Sequence, residues 1–239
     1  GTTSPVSELS TEHIDGDLLS QNYGNTSTTT ISGLKPGTLY YINIWSYDGR
    51  GNSASSTVLA TSTNSLPTDL SALGQYRDDT GAAVPNGAWT SRDDISLVAE
   101  SKDPDASERL TLYYQFITAN DTYLTATTVP SNACYSGTAW NDCTSKVWAA
   151  SSTDGDYGAS AFKATTTITD IANSSNGYKW QVLACDDDGD CAVAWSPFNA
   201  VTPNIYVDDQ APTAPDPLFE VETTARSAKL GFSTPSTED

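Results

Sequence analysis

Short runs of alternating apolar residues, each ending in an Asp/Gly turn, constrain this chain most. In Leu39–Trp45, Tyr40, Ile42 and Ile44 alternate, with Ile31 and Leu34 upstream. In Tyr178–Ala184, Tyr178, Trp180, Val182 and Ala184 do the same. A period of two puts such residues on one face of a strand. The first run leads into DGRGN at 48–52 and the second into DDDGD at 186–190. A strand is expected after each turn, giving two hairpins in equivalent positions. Helical periodicity is nearly absent, and Thr, Ser, Gly, Tyr, Val and Ile dominate. The chain reads as all-β, with two related units of different sequence.

Length and punctuation then divide it. The 239 residues suffice for about two domains. Ser62–Pro67 closes one segment, and Val207–Pro215 separates another, both short and stiffened by proline. A central domain is expected over 66–209. It is long for a seven-strand sandwich, and the excess is placed in a loop-rich insertion at 119–160 holding Cys134, Trp140, Cys143 and Trp148.

The formal net charge is −19, from 30 acidic against 11 basic residues. Such a surface repels phosphate backbones and anionic lipid, so nucleic acid is not an expected partner. Divalent cations and cationic surfaces fit it better, although plain solvation of an acidic secreted protein explains it equally. No apolar run approaches the roughly 18–20 residues that span a bilayer, so no membrane insertion is expected in this segment.

The four cysteines form two local pairs, Cys134 with Cys143 and Cys185 with Cys191. Four cysteines allow three connectivities, and sequence alone does not choose among them. Local pairing is the economical expectation, and two disulfides would place the chain in an oxidising compartment. Neither pair is a Cys-x-x-Cys and the single histidine is His13, which argues against zinc.

Leu34, Pro36, Gly37, Thr38, Tyr40 and Tyr41, with the turn residues Asp48, Gly51 and Asn52, resemble the second half of a fibronectin type III domain. The stretch 211–239 resembles the first half of one. The central unit resembles the Ig-like or fibronectin-like modules of large bacterial surface proteins. Asp103-Pro104-Asp105, Tyr178 and Trp180, Ala184, Asp186 and Gly189, and Trp195–Phe198 carry that likeness. It departs from the usual pattern in Cys185 and Cys191 flanking the hairpin and in the long insertion.

The resemblance implies tandem Ig-like/fibronectin type III-like β-sandwiches, the first split between the chain ends. Residues 1–64 would be its C-terminal part and 211–239 its N-terminal part, with Phe219, Val221, Leu230 and Phe232 facing inward. The linkers would leave opposite poles of the central sandwich, so the halves would meet across neighbouring copies. A head-to-tail contact of that kind does not close and gives a filament. Its axial repeat would be on the order of 70–80 Å for two sandwiches per unit.

The expected function is therefore structural: a repeat unit of an extracellular or cell-surface fibre or stalk, with other copies of itself as partners. The alternative is a carbohydrate-binding or adhesion module of a large secreted enzyme, with surface polysaccharide as partner and exposed Trp140 and Trp148 stacking on sugar rings. A miniature core beneath the insertion is the preferred reading of those tryptophans. An enzyme is not expected: there is one histidine, no G-x-S-x-G, and thirty acidic residues make carboxylate pairs by chance. Calcium is the one candidate cofactor, with Asp103, Asp105, Asp186 and Asp188 as ligands, because crowded carboxylates suit its six to eight oxygens. DDDGD lacks the downstream Glu of an EF-hand loop, and a solvated acidic tip held by Cys185–Cys191 is the competing reading. Sequons at Asn25, Asn120 and Asn173 fit an exposed chain.

Overall fold

A computed structural model describes residues 28, 30–48, 50–211, 218–224 and 226–232. His13 and Asn25 lie outside them, as does most of the 211–215 linker. Strands come in chain order. The first segment holds β1 (Leu39–Ile42), β2 (Trp45–Tyr47), β3 (Ser53–Ser55) and β4 (Leu59–Ser62). After the linker come β5 (Thr68–Arg77), β6 (Ala88–Thr90), β7 (Ile95–Lys102), β8 (Ala106–Glu108) and β9 (Thr111–Thr118). Next are β10 (Cys134–Tyr135), a 3-10 turn at Trp140–Asp142, β11 (Val147–Ser151), β12 (Gly155–Asp156), β13 (Phe162–Ile168) and β14 (Ser174–Cys185). The last four are β15 (Ser196–Pro197), β16 (Ile205–Val207), β17 (Leu218–Thr224) and β18 (Ser227–Phe232).

The chain is all-β, with several sheets consistent with a β-sandwich. One sheet runs β10-β11-β9-β14-β16-β6, with β15 also on β14, and a second runs β13-β7-β5. They share one core. Alternation supplies it: Ile95, Leu97 and Ala99 from β7 pack with Leu112, Tyr114 and Phe116 from β9. Tyr178, Trp180 and Val182 from β14, with Ile205 and Val207 from β16, complete it. Each large side chain so buried contributes about 1.5–3 kcal/mol of transfer free energy.

Strand β14 buries its other face too. Gln181 is 3 % exposed, and its amide donates to Gln115 Oε1 at 2.8 Å and to the Leu124 carbonyl at 2.9 Å, so burial leaves it satisfied. Beside it a polar knot crosses the core. Trp180 Nε1 donates to Gln75 Oε1 (3.0 Å), and Trp180 N donates to Asn204 Oδ1 (3.0 Å).

The insertion expected at 119–160 is only partly loop. Residues 147–151 are β11, antiparallel to β9, and Trp148 is fully buried. Both local disulfides form, Cys134–Cys143 and Cys185–Cys191, with Cα atoms 5.7 and 4.0 Å apart.

In the first segment β2 pairs β3 and β1 pairs β4. The expected turn forms because Asp48 Oδ1 accepts the N–H groups of Arg50 and Asn52, at 2.8 and 2.9 Å. Tyr40 is buried, but Ile44 is 66 % exposed, against the expected alternation. The reason is a break in the strand at Asn43–Ile44, where Ser56 Oγ takes the Ile44 N–H.

Strands β17 and β18 form a hairpin that pairs only with itself among the described residues. Phe219, Val221 and Leu230, expected inward, are 50–55 % exposed, since no described strand faces them. Phe232's side chain lies outside the described residues. Gly231 is needed here: a Cβ on it would meet the Phe219 ring at 2.6 Å and Val221 at 2.9 Å.

Candidate cation site beside the linker

Three backbone segments converge at one end of the central unit: the linker at 64–65, the Asp103–Asp105 loop after β7, and the DDDGD loop after β14. Asp103 is fully buried, which the Tyr157–Gly158 turn explains by closing over its backbone. Its Oδ1 accepts the Asp105 N–H at 2.9 Å, and its Oδ2 is buried with no hydrogen-bond partner. Asp105 Oδ2 accepts the Ser65 N–H at 2.5 Å. Asp186 is 6 % exposed; its Oδ1 accepts the Asp190 N–H (2.8 Å) and its Oδ2 the Asn64 amide (2.9 Å). Cys185–Cys191 closes the base of this last loop.

The electrostatics follow from burial and crowding. Burial raises the Asp103 pKa, opposed by the Asp105 N–H and reinforced by the charges of Asp105, Asp186 and Asp187. Burial likewise raises that of Asp186. Glu108 hydrogen-bonds the Asp187 carboxyl, which with burial and the neighbouring aspartates pushes its pKa up to about 7. Asp187 goes the other way, lowered first by the Arg109 N–H and then by Glu108.

Of the four expected calcium ligands, the fold brings Asp103, Asp105 and Asp186 together, while Asp188 sits exposed at the loop tip. Asn64, Ser65 and Glu108 were not anticipated. The linker reads in sequence as a boundary, and nothing local shows that it folds back onto both acidic loops. Among the described residues, no group of three or more His, Cys, Asp or Glu could hold a metal ion, so the expected calcium ligands do not assemble into a site. Asp103 Oδ1, Asp105 Oδ2 and both Asp186 oxygens accept N–H groups instead.

The tryptophans proposed for sugar stacking are placed differently. Trp148 is fully buried, and Trp140 stacks on it with ring centroids 5.3 Å apart and meets Phe116 edge-on. Trp148 therefore presents no platform to solvent, while Trp140 is half-buried, with Trp148 stacked on it and Lys146 Nζ 5.5 Å from its ring centroid. Trp89 does present one: it is 59 % exposed and stacks on Tyr206 at 4.6 Å. An open pocket of about 490 Å³ beside it is lined by Arg77, Ser91 and Asp208 among others. Among the described residues, no helix is long and apolar enough to cross a membrane.

No protein-family model matches the chain, and no curated protein matches it.

Proposed function

We propose that the chain is a structural unit of an extracellular or cell-surface fibre, built from Ig-like or fibronectin type III-like sandwiches. One observation carries this reading. A disulfide-stapled central unit is flanked by two hairpin segments, 39–62 and 218–232, that among the described residues pair only within themselves and expose apolar side chains. Leu39, Ile44, Val58 and Leu59 are exposed on the first, and Phe219, Val221 and Leu230 on the second. A lone two-stranded hairpin is marginal in water, so each calls for a partner sheet. Residues 211–239 of one copy complete residues 1–64 of the next. The two disulfides fit an oxidising environment.

Sedimentation velocity over a concentration series tests this. Mass should grow without a fixed stoichiometry, and removing residues 211–239 should leave a monomer. A wild-type monomer at millimolar concentration would refute the proposal.

A second reading, a polysaccharide-binding module, is favoured by Trp89 with its open flank rather than by the insertion. It requires that Trp89→Ala abolish retention on immobilised polysaccharide while leaving the melting temperature unchanged. Equal retention of the variant would dispose of it.

A further inference from the structure

We propose that the pocket beside Trp89 binds an uncharged glycan of equatorial pyranoses, one ring stacked on the indole and its hydroxyls held by Asp208 and Ser91. This rests on the polysaccharide reading and names its ligand class; it does not depend on the fibre reading. The site is marked by an aromatic ring and a cavity together. Trp89 is 59 % exposed, where burial is the ordinary fate of a strand tryptophan, and a pocket of about 490 Å³ lies beside it. That volume falls in the roughly 300–1,000 Å³ range of small-ligand sites.

Strand order decides which face of the indole is open. β6 ends its sheet, and Trp89 pairs directly with Tyr206 of β16. The two rings stack at 4.6 Å with 18° between their planes, so Tyr206 occupies the inward face of the indole. The other face turns to the edge of the sheet, which is unpaired among the described residues. Half-buried Tyr206 also steadies the ring, so little side-chain freedom is lost when a ligand lands on it. One flat face suits a pyranose with equatorial hydroxyls, because its axial C–H groups form an apolar face and the hydroxyls stay at the rim. It does not suit a polyproline helix, which docks in a groove between aromatic rings. Here the two rings close on each other.

The polar groups choose an uncharged chain. The ends of three strands line the pocket: Arg77 closes β5, Ser91 follows β6 and Asp208 follows β16. The Asp208 N–H donates to the Thr90 carbonyl at 3.0 Å, which holds Asp208 against β6. Its Oδ1 accepts the Gln210 N–H at 3.1 Å, and the carboxylate keeps lone pairs for hydroxyl donors. Ser91 is exposed, and its hydroxyl both donates and accepts. Arg77 is already engaged, its Nε and Nη2 forking Asp79 at 3.0 and 2.8 Å. The carboxylate of an acidic sugar would need that fork and would meet Asp208 instead. At a net charge of −19 the rest of the surface repels a polyanion as well.

Two-dimensional NMR of the isotopically labelled chain tests this through its six indole N–H signals, with cellohexaose as probe and hexagalacturonate as acidic control. The signal lost in Trp89→Phe is that of Trp89. Millimolar cellohexaose should shift it saturably and leave the signals of buried Trp148 and Trp180 in place, whereas hexagalacturonate should shift none. In calorimetry, Trp89→Ala should weaken cellohexaose binding about tenfold or more, for the loss of one stacked ring. Asp208→Ala should weaken it about fivefold, for one lost acceptor, with an unchanged melting temperature. If Trp89→Ala does not fold, the wild-type titrations still decide. A silent Trp89 with cellohexaose overturns the proposal, as does equal binding by folded Trp89→Ala or a shift by decaproline in place of the glycan. A Trp89 response to hexagalacturonate overturns the uncharged class and leaves the polysaccharide reading standing. Equal retention of Trp89→Ala on immobilised polysaccharide ends that reading and this inference with it.

Discussion

At the scale of single residues, burial decides most of what each side chain does. Trp148 shows this clearly: among polar neighbours in sequence it is fully buried and stacks on Trp140. Trp148→Ala should cost about 3–5 kcal/mol in urea denaturation, by cavity formation and lost transfer energy. A cost under 1 kcal/mol would mean that the ring is not core. Gly177 is constrained by conformation and space together, with φ of +68° and Pro203 Cβ only 2.7 Å from where a Cβ would stand. Gly177→Ala should destabilise by at least about 1 kcal/mol, the reverse of the usual gain from replacing an unconstrained glycine. Glu108 makes one contribution to the pH dependence of stability. Its folded pKa, about 7, exceeds its ordinary 4.5, so the folded state holds the proton more tightly. That contribution is full below about pH 4.5 and is lost as pH rises through about 7. In chelator, the melting temperature should therefore fall between roughly pH 5 and 8, and Glu108→Gln, which mimics the protonated form, should flatten the fall. An unchanged slope in that variant would assign the effect to other groups.

Secondary-structure elements are where the sequence was most and least readable. The alternation at Tyr178–Ala184 was legible because a period of two over seven residues admits no helix, and the structure buries all four of its inward residues. The turn at Asp48–Asn52 was legible because the Asp side chain makes the turn locally. Strand β11 was not, since Val147-Trp148-Ala149 is too short to show a period and is placed by its neighbour β9. The acidic site was half readable. Asp103, Asp105 and Asp186 stand out as carboxylates on adjacent loops, but Asn64 joins Asp186 across 122 residues of sequence, which no local pattern encodes. The disulfide at the base of the DDDGD loop holds crowded carboxylates in place. Replacing Cys185 and Cys191 with serine should cost about 2–3 kcal/mol by loop entropy, measured by urea denaturation in chelator. A neutral result would show that the hairpin holds itself.

Over the whole molecule, a closed central unit carries two open ends. The core shared by the two central sheets is complete in itself, with its buried amides and indoles paired. Among the described residues the terminal hairpins present apolar side chains and unpaired edges, which in a folded protein are covered or become templates for another chain. The proposed head-to-tail completion would account for both ends at once. The most direct measurement is hydrogen exchange on one copy of the chain compared with two copies fused in one polypeptide. Residues 39–62 and 218–232 should exchange quickly at dilution in the single copy. In the fusion, residues 218–232 of the first copy and 39–62 of the second should become protected, while the outer ends remain fast. Equal exchange at the junction and at the free ends would contradict it.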